Sequence, residues 1–219
     1  TQYSICEGAL KIEDLKNLCK ERKIKSIGLS DTSNLCGALE FAENISKAGT
    51  QPIIGTQINF KYKDIIGLLP LIALNEEGYK KIVELSSKSY LHNNSLLEPH
   101  CDITELYNKN LGVLILSGTI NGLFGKLFDK ARFSEIAEVY SKIFSNHKES
   151  FYIEIQRHGD INEKNFEKFN LQKSHELKTP IIATNEVFYL NKDMHEAHDA
   201  LICIGSKTYI NEKNRIKYT

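Results

Sequence analysis

"KSIGLSDTSNLCGALEF", residues 25–41, decides how the chain reads. A short apolar strand, "SIGL", delivers Asp31, Thr32, Ser33 and Asn34 into a loop. A helical stripe of Ala38, Phe41, Ala42, Ile45 and Ala48 then follows at i, i+3, i+4 spacing until Gly49 closes it. A strand that ends in polar side chains before a helix is where α/β proteins place their chemistry. Yet the residue after the aspartate is Thr32, a poor base and a poor metal ligand. The stretch is either a working site or the remains of one.

The same strand-then-helix pattern extends in both directions. Upstream, Ile12, Leu15, Leu18 and Cys19 share one helical face. Downstream come the extended runs "PIIGTQINF", "IIGLLPLIAL", "GVLILSG", "FYIEIQ" and "PIIAT". Helical faces are predicted for Tyr79, Ile82, Val83, Ser86 and Tyr90, for Ile136, Val139, Tyr140, Ile143 and Phe144, and for Phe166, Phe169, Lys173 and Leu177. A last helix covers roughly 193–203. Asp102 with Glu105 has the spacing of a capping box. Gly67 and Pro70 mark their strand as an edge or a bulge. The strands are short, continuous and apolar, which predicts buried parallel strands. One α/β domain accounts for all of this, its sheet either closed as a barrel or open and doubly wound.

Composition narrows the classes further. With 28 basic and 28 acidic residues in 219, the formal net charge is zero, so no global field draws the chain onto nucleic acid or an anionic membrane. Cys6, Cys19, Cys36, Cys101 and Cys203 are odd in number and have no C-x-x-C spacing, which argues against a disulfide framework or a zinc knuckle and predicts a reducing cytoplasm. The longest apolar run, residues 64–74, is about half of what a bilayer requires. No G-x-S-x-G, G-x-x-x-x-G-K-[ST] or G-x-G-x-x-G occurs, so hydrolase-elbow, P-loop and dinucleotide readings lose their motif.

Polar residues collect at five predicted strand ends: Asp31 and Thr32; Gln57; Ser117, Gly118 and Thr119; Gln156, Arg157 and His158; Thr184, Asn185 and Glu186. Together they outline a cleft. As a metal site the set is weak, because clustered divalent ions need several imidazoles and a bridging carboxylate, and Thr32, Gln57, Thr119 and Phe188 occupy much of the rim. His195 and His198 in "HEAHD" stand three apart, a spacing that can chelate. His92 and His147 read as ordinary surface residues, and "NEKNRIKY" as a solvated basic end.

Eight segments, in order, carry a family likeness: "YSICEGALKIEDL", "DTSNLCGALEFAENISKAGTQPIIG", "ALNEEGYKKIVELSSKSYL", "LILSGTINGLFGKL", "FYIEIQRHG", "PIIATNEVFYL", "EAHDALICI" and "NEKNRIKY". Across nearly its whole length the chain resembles the PHP (polymerase and histidinol phosphatase) domain of the bacterial DNA polymerase III alpha subunit. The resemblance implies an α/β fold, a distorted (β/α)7 TIM-like barrel, with residues 1–219 a single PHP domain from the N-terminus of a longer DNA-directed DNA polymerase. That parent would be a nucleotidyltransferase of DNA replication, in the cytoplasm, using Mg2+. The family's first strand, which bears a His-x-His pair before the "YS" motif, is expected to be missing from a sequence that starts "TQYS".

The likeness also implies how the site has changed. Glu7 keeps the acid of the "YS" motif and Asp31 the motif aspartate, but Thr32 stands where the family carries histidine. Gln57 replaces the acid after "IIG", Thr119 the ligand position after "SG", and Glu186 with Phe188 an Asp-x-His pair. His100 and His158 lie near positions where the family can carry a ligand. Glu7, Asp31, Thr32, Gln57, Thr119, His158, Glu186 and Phe188 are thus expected to line a vestigial cleft. The remaining metal candidates are Glu7, His100, His158 and Glu186, with no cofactor expected in this domain. The resemblance implies a scaffold that contacts the rest of the polymerase chain, a proofreading exonuclease subunit and the replicase holoenzyme, meets DNA only through the parent protein and touches no membrane. The alternative is an active metal-dependent phosphoesterase or 3′ to 5′ exonuclease, using Glu7, Asp31, His158 and Glu186.

Overall fold

The computed structural model describes residues 1–91, 97–109, 111–159 and 162–218. In chain order the elements are α1 (Ile12–Arg22), β1 (Ser26–Thr32), α2 (Ala38–Lys47), β2 (Gln51–Tyr62), β3 (Ile65–Ala73), α3 (Glu76–Leu91), β4 (Cys101–Asp102), β5 (Val113–Leu116), α4 (Leu123–Asp129), α5 (Phe133–Asn146), β6 (Phe151–Ile155), α6 (Glu163–Leu177), β7 (Ile181–Ala183) and α7 (His195–Ser206), with short 3-10 turns at Ile103–Tyr107 and Lys192–Met194. They fall into two compact units, Thr1–Ile54 with Glu186–Thr219, and Gly55–Asn185. None of the described helices is long and apolar enough to cross a membrane. The five cysteines are free thiols.

The first unit is built on the stripes read from the sequence. Ile12, Leu15 and Cys19 of α1 meet Leu29 of β1 and Ala38, Phe41 and Ile45 of α2 in one buried cluster. Glu13 and Asp14 in the first turn of α1 and Lys20 and Arg22 in its last suit the helix dipole. Lys23 ends α1 in the left-handed region at φ 51°, and its N–H caps the Cys19 and Lys20 carbonyls. Strand β1 runs two residues further than the apolar pattern suggests, so Asp31 and Thr32 lie in its last positions rather than in the loop. The C-terminal stretch is no solvated end: Arg215 forks onto Asp199 of α7, and the Tyr218 ring lies 4.5 Å from Phe188.

In the second unit the strand order is β2-β3-β5-β6-β7, with β4 beside β2. The expectation of parallel strands fails for the middle of this sheet. β3 is antiparallel to both β2 and β5, while β5, β6 and β7 run parallel. β2 and β3 are joined by Lys63 and Asp64 alone, with Lys63 at φ 55°. β3 is therefore an interior strand, not an edge. Pro70 is tolerated there because β3–β5 pairing begins at Leu71, one residue beyond the missing N–H. Gly67 is required by proximity: a Cβ there would sit 2.5 Å from the Leu123 backbone of α4.

Two helices bury faces other than those their spacing predicts. α3 buries Gly78, Ile82, Leu85 and Ser89, leaving Tyr79, Val83 and Tyr90 exposed. Gly78 lets the helix approach Gly112 closely, because a Cβ would fall 1.7 Å from the Gly112 carbonyl oxygen. α6 buries Glu163, Phe166, Asn170 and Ser174. Its buried face is largely polar, which hydrophobic periodicity cannot register. Asp102 does cap its short 3-10 turn through the Thr104 N–H at 2.9 Å, but Glu105 pairs with Lys88. His147 is buried rather than on the surface: it ends α5, and its Nε2 lies 3.0 Å from the Leu106 carbonyl oxygen. His92 lies outside the described residues.

Candidate functional site

In the first unit the polar residues at the end of β1 form a closed network. Asp31, 1% exposed, accepts from the Ser4 hydroxyl at 2.8 Å on Oδ1 and from the Thr1 hydroxyl at 2.8 Å on Oδ2, and the Thr1 amino group also reaches it. Ser4 Oγ in turn accepts the Thr32 N–H at 3.1 Å. The Thr32 hydroxyl donates to Glu7 Oε2 at 2.6 Å. Ser33 follows in the left-handed region at φ 58°, a conformation locked by Asn34, whose amide donates to the Tyr3 and Thr32 carbonyls and whose oxygen caps Cys36. This turn is over-determined by its own hydrogen bonds.

An aromatic group surrounds the other side of Glu7. His198 of α7 is 1% exposed and hydrogen-bonds through Nε2 to the Glu7 carbonyl oxygen at 2.7 Å. Phe188 stacks on it with ring centres 5.6 Å apart, and Tyr189 and Tyr218 pack against it. His195 instead meets the Tyr218 carbonyl at 2.7 Å. The i, i+3 pair in "HEAHD" is thus divided between two separate structural hydrogen bonds. Glu186 is half-buried in this unit, and with Glu7 its charge adds to burial in pushing the Tyr218 phenol up.

The second unit holds the remaining predicted residues. Gln57 lies in β2 opposite Pro70. Thr119 follows Gly118, at φ 78°, and its hydroxyl accepts the Asn121 N–H at 3.2 Å, so it shapes the turn into α4. His158 is tied to the start of α6: Glu163 Oε2 accepts the backbone N–H groups of His158 and Gly159 at 2.8 and 2.9 Å, and Oε1 lies 3.2 Å from His158 Nδ1. Arg157 forks onto Glu167. His100 Nδ1 lies 2.7 Å from the Glu98 carbonyl oxygen. Of the eight residues expected in the cleft, the first unit therefore gathers Glu7, Asp31, Thr32, Glu186 and Phe188, and the second holds Gln57, Thr119 and His158. Among the described residues no three His, Cys, Asp or Glu side chains are grouped closely enough to hold a metal ion.

Sequence reasoning missed Glu154. It is 4% exposed in β6, its N–H donates to Ser117 Oγ at 2.9 Å, and Oε1 accepts from Gln156 at 3.1 Å and from the Thr184 hydroxyl. Burial pushes its carboxyl up from the ordinary range. The available signal was a lone carboxylate inside the apolar run "FYIEI".

The PHP domain model matches residues 1–158. The chain belongs to the PHP domain family. Its relatives include the DNA polymerase III subunit alpha of Rickettsia felis, 38% identical over 208 residues that cover 94% of this chain and 17% of that protein. The corresponding subunit of Caulobacter vibrioides is 32% identical over 230 residues, covering 99% of this chain and 20% of that protein, and that of Borreliella burgdorferi 33% over 231 residues, with the same coverage. The PHP chain thus spans about a fifth of the length of these relatives. Among solved structures, a metal-dependent phosphoesterase candidate of Bifidobacterium adolescentis superposes with a TM-score of 0.54 at 9% identity, covering 81% of this chain and 82% of that one, a likeness of fold alone.

Proposed function

We propose that this PHP domain is the N-terminal part of a replicative DNA polymerase III alpha subunit, in which it acts as a scaffold and a docking surface for a proofreading exonuclease subunit, with its own metal site lost. The replicative context rests on the alpha-subunit relatives. The loss of the site rests on one contact, the Thr32 hydroxyl on Glu7 Oε2 at 2.6 Å. Where the family pattern implies an imidazole lone pair beside an acid, this chain places a hydroxyl that donates to the acid and engages one of its oxygens. Gln57 contributes a neutral amide in place of a carboxylate, and Phe188 contributes a ring that stacks on His198 in place of a ligand. These donors do not fit a cluster of divalent ions, which needs anionic and imidazole groups aimed at a common point. Polymerisation, Mg2+ use and DNA contact belong to the parent protein in this reading.

The experiment is metal analysis of the intact protein, a nuclease assay with and without Mn2+, and capture of the exonuclease subunit. The proposal expects less than stoichiometric zinc or manganese, no turnover, and retained capture. The second reading, a phosphoesterase, draws on the retained carboxylates Glu7, Asp31 and Glu186. It predicts metal-dependent turnover that Glu186→Ala abolishes, a result that overturns the scaffold.

A further inference from the structure

The two oxygens of Glu154 are unequally served. Oε1 accepts from Gln156 Nε2 and from the Thr184 hydroxyl, while Oε2 is buried with no hydrogen-bond partner. Glu154 lines a cavity of about 10 Å³ together with Gly118, Thr119, Gln156, Glu163 and Asn170. A single water needs roughly 10–15 Å³ of such space and two to four polar partners. A buried carboxylate shares its charge over both oxygens, so leaving one bare is costly. A carboxylic acid has one carbonyl oxygen and one hydroxyl, and the hydroxyl asks only for a single acceptor. The pattern around Oε1, two donors on one atom, is that of the carbonyl oxygen.

The surroundings also disfavour a cation. Glu163 is engaged by the His158 and Gly159 N–H groups, and Glu167 by the Arg157 fork, so the cavity offers one bare carboxyl oxygen rather than a cage of anionic ligands. We propose that Glu154 is a neutral carboxylic acid that donates from Oε2 to one water molecule held in this cavity. The water is the ligand of the site, and Thr184 and Gln156 position the acid by holding its carbonyl oxygen. The titratable groups facing Glu154 are Tyr140 of α5 and, lining the same cavity, Glu163 and Glu167 of α6. Desolvation is the largest influence and disfavours the charged form, against the Thr184, Gln156 and Gly118 donors, which favour it. None of this depends on the fate of the metal site.

The sign for stability follows from the raised pKa. The contribution of Glu154 is complete below the unfolded value of about 4.3 and is lost as pH rises through the folded value. The test is infrared difference spectroscopy of the full chain through a pH titration, wild type against Glu154→Gln, paired with a high-resolution crystal structure. The expected result is a protonated-carboxyl C=O band in the wild type that Glu154→Gln removes, and a density peak within hydrogen-bond distance of Oε2. Glu154→Gln should also flatten the decline in melting temperature that the wild type shows as pH rises through the folded pKa of Glu154. A carboxyl that titrates at or below the ordinary glutamate value of about 4.3, a dry cavity, or a bound cation there would each overturn the proposal. The wild-type spectrum and density serve even if a variant fails to fold.

Discussion

Thr32 Oγ1 donates to Glu7 Oε2 at 2.6 Å across 25 residues of sequence, joining the end of β1 to the "YS" segment. This bond accounts for how the first unit keeps two half-buried polar side chains satisfied at a strand end. Thr32→Val removes the donor while keeping the shape. A hydrogen bond to a charged group contributes about 1.5–3 kcal/mol when sheltered, and the lower end applies here because both residues are partly exposed. The expected fall in melting temperature is about 3–6 °C, and an unchanged melting curve would show that water replaces the hydroxyl freely.

Tyr140 is fully buried, its ring 4.6 Å from Phe124 and 5.5 Å from Phe151, and its hydroxyl donates to Asn170 Oδ1 at 3.1 Å. Tyr140→Phe keeps the ring contacts and leaves the buried Asn170 oxygen without that donor, costing about 1–3 kcal/mol. Denaturant unfolding at constant m-value measures it. The double variant Tyr140→Phe with Asn170→Leu should recover part of the loss, because both polar partners are then gone.

His147 titrates against the fold. Burial lowers its folded pKa below about 6.5, the ordinary value. Its contribution is therefore present above that value and is lost as pH falls through the lower folded pKa, because protonation must charge a buried ring. Stability of the wild type should decline on acidification below about pH 6.5, and His147→Gln should flatten that limb. Melting temperatures from pH 7.5 down to 5 decide it, and parallel curves for the two proteins would refute the assignment.

Glycine positions separate close packing from mere backbone freedom. A Cβ at Gly78 would meet the Gly112 carbonyl oxygen at 1.7 Å, whereas one at Gly28 meets nothing within 4 Å. Gly78→Ala must push α3 away from residue 112, costing upward of about 3 kcal/mol. Gly28→Ala in β1 should be neutral or stabilise by a few tenths of a kcal/mol. Equal effects of the two substitutions on the melting temperature would contradict the packing of α3 described above.

Much of this protein was determined by the chain alone. The stripes Ile12–Leu15–Cys19, Ala38–Phe41–Ile45 and Ile136–Val139–Tyr140–Ile143 bury the faces that their spacing predicts, because an apolar side chain on a regular helix can gain only by facing a core. Asp31 and Thr32 arrive at a strand end for the same local reason, and the motif order suffices for the family. Tertiary structure decided what local pattern does not encode. The two-residue hairpin at Lys63–Asp64 carries no glycine or asparagine, so the antiparallel turn that makes β3 an interior strand is set by sheet pairing. The buried polar face of α6, the His147 cap and the docking of Arg215 on Asp199 depend on partners distant in sequence. Glu154 shows the distinction most sharply: its residue type is visible in the chain, but the absence of a partner for one oxygen is a property of the packed volume around it.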